Sequence, residues 1–108
     1  MKNRLEFFDP VMCCSTGLCG PSIDEKLLQI HSDIQMLKCK YPDMLIERYM
    51  ITQQPLKFRE NTRVYDLVKK NGNGVLPITT FNGEIIKTGK YPTLIEIEQR
   101  IEGVSLED

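Results

Sequence analysis

Two extended runs on either side of one amphipathic helix constrain the fold more than any other feature of this 108-residue chain. Residues 4–8 predict a short strand that ends at Asp9-Pro10, and residues 44–51, rich in branched and aromatic side chains, predict a second strand. Between them, apolar residues recur at spacings of three and four, which is typical of one helix face. If this helix is a crossover, the two strands are parallel.

The first helix has clear predicted ends. Ser22 and Glu25 form a capping box that predicts a start at Ser22, and Tyr41-Pro42 predicts the end. We expect the buried stripe to comprise Ile23, Leu27, Ile30, Ile34 and Leu37. We place Lys26, Gln29, Asp33, Lys38 and Lys40 mostly on the other faces.

The second half of the chain predicts two helices, a hairpin and a last helix. Pro55 suits the first turn of a short helix to about Glu60, and Asn61 or Thr62 can cap another that stops at Asn71-Gly72. The extended runs 75–81 and 84–87 flank Asn82-Gly83, a strong hairpin signal. A second capping box, Thr93 to Glu96, opens a helix that ends before Gly103.

The resulting order, β-α-β-α-(α)-β-β-α, predicts a single α/β domain over residues 1–108. Its expected core is a four-stranded mixed sheet flanked by helices on both faces. This is the element order of the thioredoxin-like fold, in which Leu76-Pro77 occupies the place of a cis-proline. We therefore expect a cis bond there, although cis bonds are uncommon before proline in general.

Charge and hydropathy exclude some classes of function. The chain has 14 basic and 15 acidic side chains, and this balance disfavours a protein that binds nucleic acid mainly through phosphates. It has no apolar run near the roughly 20 residues that span a bilayer and no recognisable signal peptide. We expect a cytoplasmic protein without membrane contact.

Three of the four cysteines are clustered, since Cys13, Cys14 and Cys19 lie within seven residues while Cys39 stands alone. This is not a disulfide framework, and in a reducing compartment it indicates metal or redox chemistry in the loop before the first helix. Three soft thiolates suit a trigonal soft centre such as trivalent arsenic or antimony, whereas zinc more commonly takes a fourth ligand. We expect Cys39 to be a buried or half-buried small hydrophobe near the far end of the helix, and His31 to be a surface or boundary residue.

Redox chemistry is the alternative interpretation of the same loop. Cys19-Gly20-Pro21-Ser22 resembles the Cys-Gly-Pro-Cys site of thioredoxins with the second cysteine replaced by serine. A thioredoxin- or glutaredoxin-like thiol oxidoreductase is therefore the alternative hypothesis. Ser22 weakens this hypothesis because the resolving thiol is missing.

The chain resembles the ArsD-type arsenic metallochaperones over nearly its whole length. The resemblance is carried by residues 8–21 (FDPVMCCSTGLCGP) and by Glu47-Arg48-Tyr49, Gln53-Gln54-Pro55, Leu76-Pro77 and Gly89-Lys90-Tyr91-Pro92. It implies a thioredoxin-like fold without enzymatic activity or organic cofactor, with As(III) or Sb(III) as cargo. The ligands that it implies are Cys13, Cys14 and Cys19.

The resemblance also implies partners. These are glutathione-type thiol complexes as the source of As(III) and the ArsA-type ATPase of an arsenite efflux pump as the acceptor. A third is the operator DNA of an operon that the protein would repress weakly in trans. A homodimer is compatible with the resemblance. Some family members carry further vicinal cysteine pairs in a C-terminal tail, and this sequence has none.

Overall fold

The computed structural model describes residues 3–10 and 25–102, which form four strands, four helices and one short 3₁₀ turn. The strands are β1 (Arg4–Asp9), β2 (Leu45–Met50), β3 (Ile78–Phe81) and β4 (Glu84–Thr88). The helices are α1 (Glu25–Lys40), α2 (Pro55–Glu60), α3 (Thr62–Asn71) and α4 (Leu94–Glu102), and the 3₁₀ turn is Gly72–Val75.

The sheet has the strand order β2-β1-β3-β4, with β1 near its centre. β1 is parallel to β2, with Phe7 opposite Arg48, and antiparallel to β3, with Phe7 opposite Thr79. β3 and β4 form an antiparallel hairpin. The predicted α/β architecture with a four-stranded mixed sheet and a parallel βαβ unit is therefore confirmed.

Each face of the sheet has its own apolar core, because alternate side chains of a strand point to opposite faces. On one face, α1 and α4 pack on β1 through Leu5, Phe7, Ile30, Ile34, Leu37 and Ile97. On the other face, α2 and α3 pack through Phe8, Tyr49, Phe58, Val64, Leu76 and Ile78. The central strand thus contributes buried aromatic rings to both cores.

Local hydrogen bonds explain the ends of the helices in the second half. The Thr93 hydroxyl accepts from the Glu96 amide at 3.2 Å and the Glu96 carboxylate accepts from the Thr93 amide at 3.0 Å, so the predicted capping box is confirmed. The Asn61 side chain caps α3 by accepting from the Val64 amide. In the hairpin, Asn82 and Gly83 have φ of 52° and 87°, as a tight Asn-Gly turn requires.

Three sequence predictions need correction. Strand β3 begins at Ile78, because residues before it form the 3₁₀ turn and the Leu76-Pro77 connection, and proline has no amide for the ladder. Asp33 is 6% exposed, since it lies three residues after Ile30 and therefore within the buried stripe of α1. Cys39 is exposed and not buried, because it follows Leu37 by two residues and so points to the opposite side of the helix.

Candidate functional site

The end of β1 and the Leu76-Pro77 bond, both of which the sequence analysis connects with function, lie at the same end of the sheet. β1 stops there at Asp9, β2 stops at Met50, and the Ile51 amide donates to the Asp9 carbonyl. The Leu76-Pro77 peptide bond is cis, as predicted. The Gly89 amide donates to the carbonyl of Pro77 at 3.0 Å, so the start of β3 and the residues after β4 meet at this end.

The predicted ligands Cys13, Cys14 and Cys19 lie outside the described residues, and so does the predicted helix start at Ser22. We call residues 11–24 the cysteine segment. It follows Pro10, directly after β1, and precedes Glu25, the first described residue of α1.

Cys39 lies in the last turn of α1, at the far end from the cysteine segment. It is 14 positions after Glu25, which corresponds to ~21 Å along a helix axis. His31 is half-buried in the middle of the same helix. Within residues 3–10 and 25–102, no group of three or more potential ligands (His, Cys, Asp or Glu) is arranged to hold a metal ion.

A buried cluster of charged and polar side chains lies where the chain enters the cysteine segment. The Asp9 carboxylate is 1% exposed and accepts from Arg48 Nε at 2.9 Å, while the Arg48 side chain is 13% exposed. The Tyr91 hydroxyl donates to the other oxygen of Asp9 and accepts from Arg48 Nη2 at 3.2 Å. We call Asp9, Arg48 and Tyr91 the stem cluster.

The electrostatics of the stem cluster keep Tyr91 neutral and Arg48 cationic. Burial, followed by the negative charge of Asp9 and the hydrogen bond to it, raises the pKa of Tyr91 well above its usual range. Tyr91 is therefore a neutral hydrogen-bond donor at physiological pH. Burial acts to lower the pKa of Arg48, but the hydrogen bond and charge of Asp9 offset this and raise it overall, so Arg48 stays cationic.

The stem cluster connects three separate elements. It joins the end of β1, the fourth residue of β2 and the connection before α4, and the Arg48 guanidinium also lies 5.8 Å from the centre of the Tyr91 ring. One guanidinium nitrogen, Nη1, is buried and has no hydrogen-bond acceptor among the residues that the structure describes. Chemically, this arrangement fixes the exit point of β1 and provides one cationic donor that no acceptor within residues 3–10 and 25–102 takes up.

Sequence reasoning did not identify the stem cluster. It treated Asp9 only as a turn residue, and Arg48 and Tyr91 only as parts of family motifs. The available signal was the alternation in β2, because Arg48 shares a face with the apolar residues Ile46 and Met50. A charged side chain on a buried face needs a partner, and Asp9 is the acidic residue at the end of the adjacent strand.

None of the helices among the described residues is both long and apolar enough to cross a membrane.

Comparison with known proteins identifies the family. The model of the family described as "Arsenical resistance operon protein ArsD" matches residues 1–107. Two Escherichia coli proteins, each described as an arsenical resistance operon trans-acting repressor ArsD, are 39% and 38% identical to this chain. The first match covers 88% of this chain and 78% of the relative, and the second covers 97% and 85%.

A solved structure has the same fold over nearly the whole chain. The crystal structure of an arsenical resistance operon trans-acting repressor from Bacteroides vulgatus is 36% identical and superimposes with a TM-score of 0.80, covering 98% of this chain and 97% of that one. Family model, sequence relatives and structure agree over both halves of the molecule, and the chain belongs to the ArsD family of arsenical resistance operon proteins.

Proposed function

We propose that this chain is a cytoplasmic, non-enzymatic arsenic and antimony metallochaperone. Cys13, Cys14 and Cys19 bind one As(III) or Sb(III) through their thiolates, and the protein passes this cargo to an ArsA-type ATPase of an arsenite efflux pump. The observation that carries the proposal is the spacing of three cysteines within seven residues of an arsenical resistance family member. Thiolates are the donors that soft thiophilic centres select.

The described part of the structure supports this role through the stem cluster. The cysteine segment begins two residues after Asp9, whose carboxylate is held by both Arg48 and Tyr91. A binding segment that starts from a fixed point loses less conformational entropy when it closes around its cargo. The segment that carries the three thiols is therefore anchored at Asp9 before the cargo binds.

Loading and transfer proceed by exchange of one sulfur at a time. In each step one As–S bond to the incoming thiol carrier breaks, one As–S bond to a cysteine forms, and the cysteine proton leaves on the released carrier thiol. Arsenic stays trivalent throughout, so no oxidant or reductant is needed. Glutathione-type complexes supply the cargo by this exchange, and thiolates of the ATPase receive it by the same exchange in reverse.

Arsenite binding to the fully reduced protein tests the ligand set. We expect one arsenic per chain with three sulfur neighbours by X-ray absorption. Cys13→Ser, Cys14→Ser and Cys19→Ser should each lose the three-sulfur coordination. Cys39→Ser is the matched control, because it removes an exposed thiol at the far end of α1 and should bind like wild type. Three-sulfur coordination that survives in a Cys14→Ser variant would contradict the model.

Transfer is tested separately with the ATPase. Protein loaded with one arsenic should stimulate ATP hydrolysis at arsenic concentrations where free arsenite does not, and the serine variants of the cysteine segment should lose this effect. If loaded wild-type protein gives no more stimulation than free arsenite, the chaperone role fails. Reduction of a disulfide substrate by the reduced protein would instead favour the oxidoreductase alternative.

Weak repression of its own operon is a second function, suggested by the names of the relatives. The sequence carries nearly equal numbers of basic and acidic residues, so we expect any operator binding to be local and weak. An electrophoretic shift of operator DNA that arsenite releases would support repression. The absence of a shift at low salt would contradict it.

A further inference from the structure

A groove between α1 and α4 opens at the same end of the molecule as the stem cluster. It has a volume of about 590 Å³, within the range of small-molecule sites, and is lined by the first turns of both helices and by the connection before α4. Its floor is apolar and includes Ile30, which is buried, and Leu94. Tyr91 of the stem cluster also lines it.

Two oppositely charged side chains that form no ion pair among the described residues line this groove. Asp33 is 94% buried, and its carboxylate accepts a hydrogen bond from the Gln29 side-chain amide at 2.9 Å. The ion pairs of the described residues do not include Asp33. Lys90 is exposed and also lines the groove, and it too takes part in none of those pairs.

A buried carboxylate without a cationic partner is costly, and such groups in native proteins usually serve a purpose. Here the cost would be offset by a ligand ammonium group at Asp33, while a ligand carboxylate would meet Lys90. A small molecule that carries both an ammonium and a carboxylate group, such as an α-amino-acid zwitterion, would therefore complement these two side chains. The apolar floor of the groove suits the rest of such a ligand.

We propose that this groove binds the amino-acid end of the low-molecular-weight thiol that delivers the metalloid. This inference rests on the proposed function and names its substrate class: thiols with a free α-amino and α-carboxylate group, such as cysteine or a γ-glutamyl peptide. The groove is lined by the helix that directly follows the cysteine segment in the sequence, so a carrier held there is bound by the element next along the chain to the exchanging thiols.

Measuring the binding of a thiol-blocked ligand in the absence of metalloid tests the groove independently of the cysteine chemistry. Titration of the full-length reduced protein with S-methylglutathione, followed by amide NMR, should shift the signals of Gln29, Asp33 and Lys90. Asp33→Asn and Lys90→Gln should each weaken binding by about tenfold, as the loss of one charge-assisted hydrogen bond predicts. The matched controls are Asp66→Asn and Lys70→Gln, exposed residues of α3 on the other face of the sheet, which should leave binding unchanged.

The chemistry of the ligand is tested by modifying its amino-acid end. N-acetylation of S-methylglutathione should abolish the shifts, and S-methylcysteine distinguishes a single amino acid from a peptide as the recognised unit. Equal binding of the acetylated and free forms would overturn the proposal. Absence of shifts in the groove with both S-methylated thiols would overturn it as well.

Delivery kinetics separate this inference from the proposed function. With As(III) supplied as its glutathione complex, the Lys90→Gln variant should load about tenfold more slowly than wild type, whereas loading from a mercaptoethanol complex should be unchanged. If no form of the protein binds arsenic yet the NMR shifts persist, the metallochaperone role fails and the groove remains a zwitterion site. If wild type and variant load equally from both complexes, the groove has no part in delivery.

Discussion

Removal of the Arg48 side chain tests whether the stem cluster stabilises the protein as its geometry indicates. Asp9 is 1% exposed, and in Arg48→Met its carboxylate would retain, among the described residues, only the hydroxyl of Tyr91 as a side-chain donor. Breaking a buried ion pair by removing one partner costs about 3–5 kcal/mol. Because the Tyr91 hydrogen bond persists and Arg48 is 13% exposed, we expect a loss somewhat smaller than this range, about 2–4 kcal/mol.

Urea unfolding of the reduced protein, followed by circular dichroism, measures this loss. It should correspond to a fall of roughly 10–20 °C in Tm for a domain of this size. The matched control is Arg4→Met, because Arg4 pairs with Glu6 on the same sheet at 3.0 Å but is 52% exposed. An exposed pair of this kind contributes only about 0–1 kcal/mol.

The double variant Arg48→Met/Asp9→Asn identifies the cause of the loss. If the uncompensated carboxylate is responsible, replacing Asp9 in the Arg48→Met background should restore about 1–3 kcal/mol. A loss in Arg48→Met no larger than in Arg4→Met would refute the reasoning, and so would a double variant that is less stable than Arg48→Met alone.

Further predictions concern single contacts. The backbone amide of Thr93 and the side chain of Lys87 lower the pKa of Glu96. The stability that Glu96 adds over Glu96→Gln should therefore be complete above the unfolded-state pKa of about 4.3 and be lost as the pH falls through the folded-state pKa. Urea unfolding of both proteins across this pH range measures the difference in stability, and a difference that does not depend on pH would contradict the prediction. Gly83→Ala should cost about 1–2 kcal/mol in the same assay, because φ at Gly83 is 87°; an unchanged midpoint would show that the turn relaxes. Tyr91→Phe removes a hydroxyl with two hydrogen-bond partners and should cost about 1–3 kcal/mol, and a neutral result would argue against the stem cluster as a source of stability.

The element order was predictable because each boundary carries a local chemical signal. Pro55 begins α2, Asn61 caps α3, and the Asn82-Gly83 pair turns the hairpin, and all three signals lie within a few residues of the backbone that they control. The crossover rule for βαβ units then determines the strand direction.

The stem cluster and the groove were not predictable in the same way, because their members meet only in the folded chain. Asp9 and Tyr91 are 82 positions apart, and no local pattern connects them. Asp33 was assigned to the polar side of α1 because of its charge, although its position three residues after Ile30 places it in the buried stripe. Side-chain chemistry predicted exposure there, and helix geometry determined burial.

The position of β1 also has a consequence for biosynthesis. β1 pairs with both β2 and β3, and β4 joins the sheet through β3; the Arg4 amide also donates to the side chain of Asn82, 78 positions further along. Non-local pairing of this kind delays folding until the distant segment has emerged. A nascent chain therefore carries its three clustered cysteines for most of translation before the last strands of the sheet have emerged.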